Sequence, residues 1–188
     1  MEKIGREKRD ILVGRVKEAR EDQEEAKEQF KTTLEAFQNL TGFDGGDLEK
    51  TYKKLNGEFE DAESRAKRVH DRVSSIEKVA KDMFAEWEGE IATIQDASLK
   101  SKSRALLLDT KQRYSGLVRK MHIAEKRMEP VLTVFRDHVL FLKHNLNARA
   151  IQSLKSTSLE IDGEVSQLVK DLEASIQEAD TFISSMAS

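Results

Sequence analysis

Cysteine is absent from this chain of 188 residues, and proline occurs once. Without cysteine there are no disulfides, no thiolate metal sites and no thiol nucleophiles, and the redox compartment is left open. A single proline leaves very few enforced breaks, and aromatics amount to only 6%. No apolar run reaches the length of about 18 residues that a membrane-spanning helix needs. Alternation of period two, the mark of half-buried strands, is missing as well. Nor is there an excess of cations. Lys and Arg number 32 against 35 Asp and Glu, a net charge of −3, which argues against nucleic acid as a partner.

What the chain does have is charge, at 36%, and 38% hydrophobic residues arranged at helical spacing. Its length suits a single helical bundle domain, residues 1–188, with room for a sizeable core. Three polar interruptions divide it. In Gly42-Phe43-Asp44-Gly45-Gly46-Asp47, Gly42 suits a left-handed helix end and Asp47 suits the cap of the next helix. The second is the short polar stretch Asp96-Ala97-Ser98, and the third is His144-Asn145-Leu146-Asn147, where Asn147 is a candidate cap. Helices are predicted near 8–41, 47–95, 99–145 and 148–184.

Each segment carries apolar residues at alternating spacings of three and four. The first seam reads Leu12, Val16, Ala19, Gln23, Ala26, Phe30, Thr33, Phe37, Leu40. The second runs from Leu48 through Leu55, Phe59, Val69 and Ile76 to Trp87. The third runs from Leu107 through Tyr114, Met121, Phe135 and His138 to Leu142, and the fourth from Ile151 through Ile161, Leu168 and Leu172 to Ile183. Sustained heptads are the pattern of helices packed at shallow angles. Short linkers make successive helices antiparallel neighbours. The expected fold is all-α: an elongated, coiled-coil-like, antiparallel up-down-up-down four-helix bundle. Its middle helices exceed the outer two by roughly a dozen residues, so a helix 2–helix 3 hairpin is expected to protrude by about 15–20 Å. Pro130, deep in the third helix, predicts a bend, with the small Gly163 opposite to let the backbones stay close.

Charge supports this pairing. Residues 100–127 hold nine Lys/Arg and two acids, whereas residues 77–96 hold six acids and residues 158–188 hold seven. The basic stretch is expected between the two acidic ones, where complementarity sets partner and orientation more than stability.

No catalytic motif is present. A di-iron bundle site requires Glu-x-x-His pairs, and none of His70, His122, His138 or His144 has a glutamate three residues before it. His122 and Glu125 share a helix face, but metal sites need three or more converging groups. The glycines of residues 42–47 lack the lysine of a phosphate loop and the spaced acids of a calcium loop. His138, on the apolar seam, reads as a core histidine bonded to a neighbour. No cofactor, metal or catalytic residue is assigned.

Partner or surface contacts are the remaining candidates. Trp87, the only tryptophan, falls where the bundle is expected to thin to two helices, and tryptophan is enriched in binding hot spots. Lys100, Lys102 and Arg104 lie nearest the hairpin tip and are the cations expected to stay free of acidic neighbours. His144, Asn145, Asn147 and Arg149 follow the apolar run Val139-Leu140-Phe141-Leu142; they read as a corner that satisfies exposed backbone groups or as a recognition surface.

That corner also carries a resemblance. Lys143-His144-Asn145-Leu146-Asn147-Ala148-Arg149-Ala150 resembles a bacterial family catalogued as domain of unknown function 2959. Lys8-Arg9-Asp10-Ile11-Leu12-Val13, Glu25-Ala26-Lys27-Glu28-Gln29-Phe30 and Phe43-Asp44-Gly45-Gly46-Asp47-Leu48 resemble it in the same order. The resemblance covers nearly the whole chain. It implies exported, lipoprotein-like helical proteins of Gram-negative bacteria, often with a signal peptide and a lipobox cysteine ahead of the helical domain. This chain begins Met1-Glu2-Lys3-Ile4-Gly5, with neither feature, and is read as a mature domain. Periplasmic or outer-membrane-associated location follows from the resemblance, as does membrane proximity through a lipid anchor. The functional expectation is a non-enzymatic envelope protein, a structural or interaction module that binds a protein partner or self-associates. The alternative is a BAR-like membrane-surface binding protein using the basic hairpin tip.

Overall fold

The computed structural model describes residues 2–187 of the chain. Nearly all of them are helical: α1 (Glu2–Thr41), α2 (Leu48–Thr93), α3 (Ala97–His144), α4 (Ala148–Leu154) and α5 (Ser158–Ala187), with a 3-10 turn at Lys155–Thr157 between the last two. No strand occurs among the described residues.

The heptad seams form the core. Every seam position of α1 from Leu12 to Leu40 is fully buried, Gln23 and Thr33 included. Leu55, Val69 and Ile76 of α2 are buried with them, as are Leu117, Met121 and Phe135 of α3 and Leu168 and Leu172 of α5. One apolar cluster joins them all. Each large side chain so buried contributes about 1.5–3 kcal/mol relative to exposure, and this packing stabilises helices whose outer faces are mostly polar.

Side-chain contacts fix the register of neighbouring helices. Between α1 and α2, Lys8 pairs with Glu86, Arg72 with Asp22 (2.7 Å) and Glu18 (2.7 Å), and Gln29 with Glu58 (2.7 Å). Between α1 and α5, Arg9 donates to the carbonyl of Met186 (2.6 Å) and Arg20 pairs with Asp180 (2.6 Å). Arg136 meets Glu63 across α2 and α3, and Arg127 meets Asp171 across α3 and α5. Between α1 and α2, and between α1 and α5, one residue number rises as the other falls along these contacts, so those helices run antiparallel.

Local signals end the helices where the sequence places them. Asp47, Asp96 and Asn147 each accept a hydrogen bond from a backbone N–H three residues on, at 3.1, 2.9 and 2.9 Å, which satisfies an otherwise orphan donor. Gly42 is not left-handed, contrary to expectation. Its N–H still donates to Gln38 O at 2.9 Å, and the positive φ (101°) falls on Gly46.

Three further expectations are refined or corrected. The fourth arm is helical throughout but not α-helical throughout: a 3-10 turn at Lys155–Thr157 joins α4 to α5, with Leu154, Lys155 and Ser158 in right-handed helical conformation. Ser153, Ser156 and Thr157 each turn a hydroxyl back onto the carbonyl three residues earlier, at 2.6, 3.3 and 2.9 Å. Such bonds compete with the α-helical ladder and tighten it to a 3-10 turn. Gly163 does not face Pro130 across a close approach: it is exposed, and a Cβ built there meets nothing within 4 Å. Pro130 faces solvent and α3 continues through it; the Lys126 carbonyl, which the proline leaves without a helical donor, lies on the same exposed stretch.

The third correction concerns the hairpin. α1 begins at Glu2, earlier than expected. Six residues of α1 precede Lys8 and seven of α2 follow its partner Glu86, so these two helices end nearly level. The overhang survives on the other side. Glu178 lies against Gly116, and nine more residues bring the end of α5 level with Leu107. Ten residues of α3, 97–106, extend past it, about 15 Å at 1.5 Å per residue.

Candidate functional site

The overhang changes what apolar residues do. Leu107 is buried, but Leu99, Leu106 and Leu108 are 58%, 61% and 62% exposed. Leu106 and Leu99 continue the stripe that buries Leu117, Ala124 and Met128 lower in α3, at the same helical spacing. Past the end of α5 that stripe is left more than half exposed among the described residues.

Lys100, Lys102 and Arg104 share this segment. Lys102 and Arg104 are exposed, Lys100 is half-exposed, and none has an ion-pair partner among the described residues. The next cations along α3 are engaged. Lys111 pairs with Glu88 and lies over the Phe84 ring, and Arg113 pairs with Asp109 at 3.1 Å. The turn leading into the segment is short, and the one acid there, Asp96, is the N-cap of α3.

Trp87 marks the root of the tip. It is half-buried, and its indole N–H donates to Ser103 Oγ at 3.0 Å, tying α2 to α3. Beside it opens a cleft of about 580 Å³ lined by Met83, Glu86, Arg9 and Met186.

The other predicted contact residues lie elsewhere. His144 and Arg149 are exposed at the far end of α3, about 70 Å from the tip along a helix of 48 residues. Asn145 donates its side-chain amide to Phe141 O at 3.0 Å, and Asn147 caps α4. Both asparagines are therefore committed to the corner, and the eight candidates do not form one site. The structure brings together Lys100, Lys102 and Arg104, adds the three leucines, and leaves His144 and Arg149 as a separate exposed pair.

A polar chain that the sequence does not announce crosses α2 and α3. Glu125 contacts His70 Nδ1 with one oxygen and stands 3.2 Å from His122 Nδ1 with the other; His122 Nε2 is 2.9 Å from Glu77. An imidazole flanked by two carboxylates donates to both only when both nitrogens carry protons. The hydrogen bond to Glu125, followed by its negative charge, raises the His70 pKa above its ordinary value. The available signal is that His70 and Glu77 stand two helical turns apart on one face of α2; the seam of α3 does not reveal that they meet His122 and Glu125. Among the described residues no group of three or more His, Cys, Asp or Glu is placed to hold a metal ion. His138 is half-buried, edge-on to Phe37, and bonded to Val134 O (2.7 Å) and Thr157 Oγ1 (3.1 Å), as a histidine on an apolar seam is expected to be.

The fold is an all-α helical bundle in which α3 extends past the end of α5. Over residues 1–186 the chain matches the family described as a protein of unknown function, DUF2959, and it belongs to that family. No curated protein matches it, and no solved structure does. No helix among the described residues is long and apolar enough to cross a membrane.

Proposed function

We propose that the chain is a non-enzymatic interaction module of the bacterial envelope, a stiff bundle that presents its end as a contact surface. The observation that carries this reading is the tip of α3: three leucines about 60% exposed, beside three cations without ion-pair partners among the described residues. Burying large apolar side chains is the main favourable term in folding, and leaving three uncovered on one short segment is costly unless another surface covers them. The polar groups that do converge, His70, Glu125, His122 and Glu77, engage one another across two helices as a surface ion-pair network does. The envelope location rests on the resemblance to exported proteins.

Fractionation of the native host tests the reading. The wild-type chain is expected to be retained by envelope material under gentle lysis. The variant L99Q/L106Q/L108Q, helical by circular dichroism, is expected to be released. Retention unchanged by the three substitutions, or a wild type found wholly outside the envelope fraction, overturns it.

A further inference from the structure

We infer that the surface this tip recognises is an anionic lipid bilayer, met end-on. The inference rests on the reading of the tip as a contact surface and names its partner.

Charge is the first argument. Across the whole hairpin, residues 87–106 hold three cations and three acids, and the acids are spent or set apart: Glu88 pairs with Lys111, Asp96 accepts from the Leu99 N–H as the helix cap, and Glu90 stands on α2. Lys100, Lys102 and Arg104, all on α3, have no ion-pair partner among the described residues, whereas Lys111 and Arg113 just below are paired. Cations left without partners on one helix end are drawn to an anionic headgroup layer.

Shape is the second. Leu99 and Leu106 lie two turns apart on one face of α3, with Lys102 between them, while Leu108 and Arg104 lie toward the opposite face. Apolar and cationic groups thus surround the segment and do not form one flat patch. A protein partner needs a face; a bilayer surface accepts a narrow convex end on all sides. The stems of Lys and Arg lie along apolar surface while their charges reach the headgroups.

Area is the third. Three partly exposed leucines offer a few hundred Å² of apolar surface, short of the roughly 800 Å² per partner of a stable protein–protein interface. Interfacial insertion needs no such area, because buried apolar groups and electrostatic attraction add. The uncovered ten residues of α3 also exceed the roughly 5–10 Å by which interfacial segments enter the headgroup region. This contact differs from that of a BAR-like dimer, which lays a long face on the membrane; here the cations stand at the end of the bundle.

Co-sedimentation of the purified full chain with two kinds of vesicle tests the inference, one of phosphatidylcholine alone and one of equal parts phosphatidylcholine and phosphatidylglycerol. Binding is expected only to the second. Raising salt from about 0.1 M to about 1 M shortens the Debye length from about 10 Å to about 3 Å and is expected to release the protein. Each cation contributes about a fivefold gain in partitioning, so K100E/K102E/R104E is expected to abolish sedimentation. L99Q/L106Q is expected to weaken it about tenfold. Both variants alter exposed or half-exposed positions, and circular dichroism checks that they fold. Binding absent from both vesicles, or unchanged in the charge variant, overturns the lipid assignment. If binding is absent while the leucine substitutions still release the chain from the envelope, the partner is a protein and the interaction reading stands. If sedimentation equilibrium shows a dimer that L99Q/L106Q dissociates, the partner is a second copy. Loss of both effects overturns both readings.

Discussion

Ser175 donates its hydroxyl to Gln23 Oε1 at 3.0 Å, and both residues are fully buried between α1 and α5. The Gln23 Nε2 has no partner. A polar pair inside a heptad seam costs stability but opposes sliding of one helix along the other, since any other register leaves both groups unbonded. The Ser175→Ala substitution strands the whole Gln23 amide and is expected to destabilise the protein by about 1–3 kcal/mol. Adding Gln23→Leu removes the stranded group and is expected to restore stability to within about 1 kcal/mol of the wild type or better. Urea unfolding of both variants checks this; a Ser175→Ala protein as stable as the wild type contradicts it.

Pro130 interrupts the ladder of a helix 48 residues long from its solvent side. Because the site is exposed, nothing in the core depends on the ring. Pro130→Ala restores a donor for the Lys126 carbonyl and removes the steric clash, and is expected to raise stability by about 1–2 kcal/mol after allowing for the more flexible unfolded chain. Chemical denaturation gives the answer directly, and a loss of stability shows that the proline matters to the shape of α3.

His70 is expected to titrate above its ordinary pKa because its proton is shared with Glu125. The sign of the linkage follows. A raised folded-state pKa contributes stability that is present below the unfolded value, about 6.5, and is lost as pH rises through the folded value. With His70 largely exposed, the contribution is small. Proton NMR of the imidazole resonances measures the shift, and Glu125→Gln is expected to return His70 toward its ordinary value. No response to that substitution refutes the coupling.

Tyr114 stands edge-on to Phe84, and burial, aided by the negative charge of Glu77, raises its pKa to about 12. The neutral phenol is favoured in the folded state, so its contribution to stability falls away between about pH 10 and 12. Ultraviolet titration of the two tyrosines is expected to show a late step that Tyr114→Phe abolishes. A single step near pH 10 for both tyrosines contradicts the burial argument.

Periodicity makes the architecture readable because a helix buries one stripe, and the stripe repeats whatever lies across from it. Asp47 and Asn147 are recognisable caps for the same local reason. Cross-helix relationships are a different matter. Gln23 stands on its seam, but nothing near Ser175 marks it as the partner. Gly163 looks like an accommodation for Pro130 only until the rotation of α5 is known. Serine and threonine around residue 155 are unremarkable one at a time, and the 3-10 turn they accompany is not visible in the heptad. At the tip, the cations are visible as a charge run, whereas the exposure of Leu99 and Leu106 depends on where α5 stops alongside α3.

The chain has one tryptophan, and it is placed at the base of that tip with its indole N–H on Ser103. Its emission therefore comes from one known place. Whatever tightens, loosens or covers the end of α3 alters the polarity around that ring, whereas events at the His144 corner, about 60 Å away, leave it dark to change. The molecule carries its own optical label at the place where contact is proposed.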